Sequence, residues 1–330
     1  MNVTILDDYS DTVRTLDCFS KIAHHNITIW NDHTKDTDIL AARLQDTEAL
    51  VLIRERTPVR AALLERLRKL RLISHLGPYP HIEADACTRH GVILSSFIGG
   101  TRPSYATAEL NWALMIAAMR RIPQEMAAMK AGKWQAWPVG LGLRGRVLGI
   151  FGYGRIGKVV AGYGCAFGIN VLVWGRQASL AKAHTDGYQV ANSKAQLFEQ
   201  SDAVSLHLKL IDETRGIVTA DDLACMKPTA VLVNTSRAGL IERGALEEAL
   251  RRGRPGMAAL DVFDEEPLAV PNHPLLSMDN VVITPHLGYV ERDSLEGMFN
   301  LMFDQILAYE RGQPINVENP DVLTKLQSRR

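Results

Sequence analysis

Short runs rich in β-branched and aliphatic residues alternate, almost from end to end, with stretches patterned as helices. Met1–Asp7, Ile27–Trp30, Ala49–Ile53, Leu72–Leu76 and Val92–Ser95 are predicted strands, with helices over Thr12–Ala23 and Val59–Leu67 between them. Such alternation argues for a parallel sheet with helices on both faces. Tyr105–Arg121 is expected as one long helix, and its wealth of Ala, Leu, Met and Trp112 suits burial between two layers. A looser stretch containing Gly132–Gly145 follows. A second series then begins, with strands over Val147–Phe151, Val171–Trp174, Ala203–Leu208, Ala230–Asn234, Met257–Asp261 and Val281–Thr284. Thr219 and Asp222 have capping-box spacing ahead of Leu223–Lys227. A last helix, about Arg292–Arg311, is expected back on the first series, and Ser328–Arg330 as a frayed tail. Two α/β domains follow: a discontinuous one from residues 1–104 and 291–330, and a second from residues 105–290.

Composition narrows the partners. The 330 residues exceed one ordinary core, and 46% hydrophobic with 22% charged residues is a globular balance. Lys+Arg and Asp+Glu both number 37, so nothing in the charge attracts nucleic acid or an anionic membrane, and neither is expected as a partner. The N-terminus has no basic segment leading into an apolar run, and no apolar stretch reaches about 18 residues, so a soluble, cytoplasmic chain is expected. Cys18, Cys87, Cys165 and Cys225 lie far apart without a CxxC pair. They read as reduced thiols, and no metal site is expected.

The first chemistry lies in "LGIFGYGRIGKVV", which sets Gly152, Gly154 and Gly157 between a strand and a helix. Gly152 permits the tight turn, Gly154 the approach of backbone to a pyrophosphate, and Gly157 close helix–sheet packing, with the helix N-terminus facing the anion. The next strand ends in Gly175 and Arg176, where a site for NAD usually carries an acid to bind the ribose hydroxyls. With no carboxylate to repel a 2′-phosphate, and Arg176 placed to pair with it, NADP is favoured over NAD. Further on, "VLVNTSRAGLIE" puts Arg237 past a strand end, "ALDVFDEEP" does so for Asp261 and Glu266, and "VVITPHLGY" for His286. In open α/β sheets ligands bind at the carboxyl ends of strands, so these residues can share one crevice.

"GYGRIG", "SLHLKLIDETRG", "MKPTAVLVNTSR", "ALDVFDEEP" and "TPHLGY", in that order, resemble the D-isomer-specific 2-hydroxyacid dehydrogenases over nearly the whole chain. The resemblance implies two Rossmann-like doubly wound domains, the substrate domain flavodoxin-like, and an NAD(P)-dependent interconversion of a small 2-keto acid and its D-2-hydroxy acid. Arg237 would bind the substrate carboxylate, His286 would act as general acid and base, and Glu266 would pair with His286 and favour its protonated form. Asp261 would hold the nicotinamide carboxamide, and Arg155 and Ile156 the pyrophosphate. His207 and Thr214 would line the cofactor cleft, and Thr235 would lie near the nicotinamide ribose. Arg54, Gly77 and Tyr79 would belong to the substrate pocket. There the chain departs from the family: the usual Gly-x-Gly is Gly77–Pro78–Tyr79–Pro80, and each proline removes an amide donor. Lys209 stands where the family often has proline. The family also implies a homodimer through the long helix and Gln124–Arg144, and domain closure about Pro103–Ala106 and Tyr289–Arg292. Phosphoglycerate oxidation is the alternative activity, and a nucleotide-sensing, corepressor-like binding protein the alternative class.

Overall fold

The computed structural model describes residues 1–98, 105–268 and 273–327, so Pro103, within one expected hinge, and Ser328–Arg330 lie outside the described residues. The chain forms two compact units, Met1–Thr101 with Glu291–Arg330, and Arg102–Val290. In the first, β1 (Asn2–Ile5), β2 (Asn26–Ile29), β3 (Ala49–Val51), β4 (Leu72–Leu76) and β5 (Ile93–Phe97) pair in the order β2-β1-β3-β4-β5. Every pairing is parallel, and the order is that of flavodoxin. Successive side chains of a strand face opposite ways. Leu50, Ile73 and Leu94 therefore join the core built with Leu40, Leu44, Leu63 and Ala86. On the other face Ser74 donates to Met302 O (2.9 Å) and Gln305 Oε1 (2.6 Å), docking the helix Arg292–Glu310 onto this sheet.

The second unit carries β6 (Val147–Phe151), β7 (Asn170–Trp174), β8 (Gln189–Val190), β9 (Ala203–Leu206), β10 (Val231–Asn234), β11 (Met257–Leu260) and β12 (Val281–Ile283). The order is β12-β11-β10-β9-β6-β7-β8, again all parallel, with direction reversing between β6 and β9. Ile150, Val173 and Val233 pack with Trp112 and Met115 on one face. Phe151, Leu206 and Leu232 pack with Phe198, Leu223 and Leu246 on the other. Among the described residues no helix is long and apolar enough to cross a membrane.

Two expectations need correction, and one strand went unpredicted. Thr12–Ala23 is not an α-helix but two 3₁₀ turns, Val13–Thr15 and Asp17–Ile22, broken at the extended Leu16. The carboxylate of Glu296, on the docked C-terminal helix, accepts the Asp17 and Cys18 amides at 2.9 and 2.6 Å, and so replaces helical partners there. The long helix stops at Met119; Arg121 takes a left-handed φ of 54° and a second helix runs Ile122–Lys130, with Pro123 in its first turn. Gln189–Val190, two residues long, is too short to show a period. The Thr219–Asp222 capping box is present, Asp222 Oδ2 accepting the Thr219 amide at 2.8 Å.

Candidate active site

The glycine turn sits at the reversal between β6 and β9. Gly152 has φ +100°, donates its amide to Trp174 O (2.8 Å), and has no room for a side chain: a Cβ would lie 2.6 Å from His207 O. A Cβ on Gly157 would lie 2.2 Å from Gly152 O. Only glycine lets the helix Arg155–Phe167 come this close. Gly154 differs, since a Cβ there meets nothing within 4 Å. It begins a helix with no side-chain cap and no acid in its first turn, with Arg155 exposed, Ile156 half-buried and Lys158 N bonded to Gly154 O. At the end of β7, Arg176 is exposed and precedes the helix Gln177–Thr185; its side chain makes no hydrogen bond or ion pair with a described residue.

Beside the turn, His207 Nε2 lies 2.9 Å from Ser205 Oγ. The fully buried Asn111, on the helix Tyr105–Met119, reaches both Ser205 Oγ (2.9 Å) and Thr235 Oγ1 (3.1 Å). Burial pushes His207 down to about 3, so the imidazole is neutral, and its Nδ1 is enclosed with no hydrogen-bond partner. Thr214 Oγ1 accepts the Ile211 amide and donates to Lys209 O (2.6 Å), so this hydroxyl shapes its own loop.

His286 and Glu266 meet at the carboxyl ends of β11 and β12, with Nδ1 and Oε2 2.6 Å apart. Glu266 Oε1 accepts the Phe263 amide at 3.0 Å. Burial works to raise the Glu266 carboxyl, but the His286 contact, that amide and the charge of Arg237 hold it below the usual carboxylate range. Arg237 follows β10; its guanidinium donates to Ser236 O (2.7 Å) and pairs with no carboxylate among the described residues. His286 has a left-handed φ of 56°, a conformation costing a non-glycine residue about 1–3 kcal/mol. Asp261, fully buried, holds it there: Oδ1 accepts Thr284 Oγ1 (2.6 Å) and the Leu287 amide (2.7 Å), and Oδ2 the Gly288 amide (2.8 Å). Burial raises this carboxyl against the opposing pull of those donors. The resemblance puts Asp261 at the nicotinamide; its visible contacts brace the His286 loop.

Within the first unit, Arg54 and Gly77 follow β3 and β4. His75, fully buried and pushed down to about 4 by burial, ties them together: Nε2 lies 3.1 Å from Arg54 O, and Nδ1 3.1 Å from Ser96 Oγ. Ser96 in turn donates to Gly77 O (2.8 Å). The Gly77 amide donates to Phe97 O (3.1 Å), so its N–H is taken up by the sheet. With Pro78 and Pro80 lacking N–H groups, the Tyr79 amide is the donor left in this loop without a described partner. The Tyr79 hydroxyl is committed too, donating to Glu318 Oε2 at 3.0 Å.

Residues 112–288 match the family model described as D-isomer specific 2-hydroxyacid dehydrogenase, NAD binding domain. The chain is 34% identical to a glyoxylate reductase of Aeropyrum pernix over 312 residues, 91% of each protein. It is 35% identical to a D-3-phosphoglycerate dehydrogenase of Methanocaldococcus jannaschii over 83% of this chain, though only 52% of that longer protein. Among solved structures, a phosphoglycerate oxidoreductase from Vibrio cholerae superposes with a TM-score of 0.89 at 45% identity, over 94% of this chain and 99% of that one. The chain belongs to the D-isomer-specific 2-hydroxyacid dehydrogenase family. It is an oxidoreductase, and its cofactor is a nicotinamide dinucleotide. Residues of this 2-hydroxyacid dehydrogenase suit that group: an uncapped helix N-terminus, open space over Gly154, and the orphaned Nδ1 of His207. Asn111 and Ser205 escaped the sequence reading, because a lone Asn in an apolar helix and a Ser in a strand signal nothing until the fold joins them across 94 positions.

Proposed function

We propose that this enzyme reduces a small 2-keto acid to its D-2-hydroxy acid, with NADPH preferred over NADH and His286 as the general acid. The observation that carries the reading is an Arg237 that forms no ion pair among the described residues yet lies close enough to the His286–Glu266 pair for its charge to act on Glu266. A bound nicotinamide supplies the hydride. The Arg237 guanidinium presents a planar fork to the substrate carboxylate and polarises the adjoining ketone. Glu266 occupies Nδ1 of His286, which leaves Nε2 to hand its proton to the carbonyl oxygen as negative charge develops there. In oxidation Nε2 takes the hydroxyl proton, and the resulting imidazolium is balanced by Glu266. A charged arginine and an imidazolium flanking a nascent alkoxide supply electrostatic stabilisation, often the largest catalytic contribution.

Cofactor choice rests on Gly175 and Arg176, with no acid at the end of β7 and an exposed guanidinium beside it. Thr235 is held by Asn111 and is assigned to the nicotinamide ribose; Arg54 and the Tyr79 amide are assigned to the substrate. Met126, Met129, Trp134 and Val139 are 54–95% exposed in the segment after the long helix, and this apolar surface supports a homodimer. Four free thiols suit a reducing compartment, the cytoplasm.

The test is a panel of glyoxylate, hydroxypyruvate, pyruvate and phenylpyruvate with NADPH and with NADH, followed by loss of nicotinamide absorbance. NADPH consumption with at least one acid is expected; silence across the panel overturns the reading. Phosphoglycerate oxidation is the second reading, favoured by the name of the relative at 45% identity. Turnover of 3-phosphoglycerate at a rate exceeding that of the small acids would select it.

A further inference from the structure

Among the described residues, three histidine–carboxylate groups differ in spacing. His286 and Glu266 approach to 2.6 Å, and His33 Nδ1 and Asp7 Oδ1 to 2.8 Å, ordinary hydrogen-bond lengths. At the far end of the helix Arg292–Glu310, Glu310 Oε2 instead stands 3.4 Å from His24 Nε2 and 3.8 Å from His25 Nε2. All three ligand atoms lie within 4.8 Å of one another. Tetrahedral ligands bound at about 2.0–2.1 Å stand roughly 3.3 Å apart, close to the 3.4 Å between Glu310 Oε2 and His24 Nε2, a contact that is also a long hydrogen bond.

A second observation points to the same centre. The His25 side chain is 1% exposed, and its Nε2 has no hydrogen-bond partner, a costly state for an enclosed polar atom. That nitrogen belongs to the group facing Glu310. The other ring nitrogen, Nδ1, lies 3.4 Å from the Met1 nitrogen. His24 and Glu310 are about half exposed, which leaves a way in for an ion and for a water as fourth ligand.

We propose that His24, His25 and Glu310 form a binding site for a borderline divalent transition metal of the Zn²⁺, Co²⁺, Ni²⁺ class. Two imidazoles and one carboxylate select that class over Mg²⁺ and Ca²⁺, which take all-oxygen shells. The expectation of no metal site came from cysteine spacing, which is blind to ligands 285 positions apart (His25 to Glu310). The bound ion clamps the turn after Asp17–Ile22 to the end of the docked helix, within the first unit and without using a residue of the dehydrogenase site.

The experiment is titration of the untagged full chain, freed of metal by chelation, with Zn²⁺ by calorimetry and with Co²⁺ by visible absorption. One ion per chain is expected, with Co²⁺ bands of four-coordinate intensity. His24→Ala and Glu310→Gln, both surface changes, should each weaken Zn²⁺ binding at least tenfold and leave NADPH-dependent turnover unchanged. Absence of stoichiometric binding overturns the proposal. So does wild-type affinity in both variants, which would place the ion elsewhere.

Discussion

Each sheet of this chain reverses direction once, between β1 and β3 in the first unit and between β6 and β9 in the second. Crevices at such reversals are where doubly wound folds bind ligands, yet the two are furnished differently. In the first unit Asp7 plugs the gap: its carboxylate accepts Thr57 Oγ1 (2.6 Å) and contacts His33, while its carbonyl accepts Arg56 (2.6 Å). In the second unit the corresponding place holds glycines, an uncapped helix end and an enclosed, unpartnered imidazole nitrogen. One topology serves as a scaffold where an acid closes the crevice, although His33 Nε2 beside it also lacks a partner, and as a receptor where glycines leave room.

The hardest test of that contrast removes the chemistry from the second unit alone. His286→Ala should lower kcat for keto-acid reduction by about 10²–10⁴-fold, the range for loss of a general acid, while NADPH binding by fluorescence persists. A near-normal rate would refute the assignment. The pH dependence has a definite sign. The Glu266 carboxyl is held below its ordinary 4.5, so its ionised form stabilises the fold fully above that value. That contribution is lost as pH falls through the lowered value, so loss of activity between pH 5 and 6 in a titration would belong to another group.

Gly157→Ala comes next, because the new Cβ would stand 2.2 Å from a backbone oxygen that cannot swing aside. The helix must retreat from the turn. NADPH affinity should fall at least tenfold and the melting temperature should drop; unchanged affinity would show that close packing here is not needed for the cofactor.

Much of the second unit was legible because each of its signals is local. Gly152, Gly154 and Gly157 sit within one turn, and Arg237 and His286 directly follow aliphatic runs that end where β10 and β12 end. What was hidden depends on contacts between distant segments. No local pattern says that Glu296 will capture the Asp17 and Cys18 amides, or that Asn111 will join Ser205 to Thr235. Asp261 was visible as a strand-end acid, but its three donors arrive on a loop more than 20 residues later. Nor does a local pattern show that the Gly77 amide is taken by Phe97 of the neighbouring strand, a pairing set by sheet register.

Filling and emptying the crevices gives smaller effects. Asp7→Ala strands Thr57 and His33 in the first unit and should cost about 1–3 kcal/mol of stability, read by denaturant unfolding, with no change in NADPH affinity. A parallel loss of cofactor binding would erase the distinction between the two reversals. Arg176→Ala should weaken NADPH about 10–100-fold, as expected for a charge-assisted pair worth about 1.5–3 kcal/mol, and leave NADH nearly unaffected. Equal losses would remove the phosphate-pairing argument.

Tyr79→Phe should do least, and its smallness is the point. The hydroxyl donates to Glu318 at 3.0 Å, and burial together with that carboxylate raises its pKa, so the phenol stays protonated and committed to the protein. Removing it gives up a hydrogen bond worth about 0.5–1.5 kcal/mol, visible as a slight fall in melting temperature. KM for the preferred keto acid should stay within about twofold, because the loop's uncommitted donor is the Tyr79 amide, which phenylalanine keeps. A tenfold rise in KM would mean that the hydroxyl leaves Glu318 for the substrate, adding a side-chain donor to the backbone one that the Tyr79 loop offers.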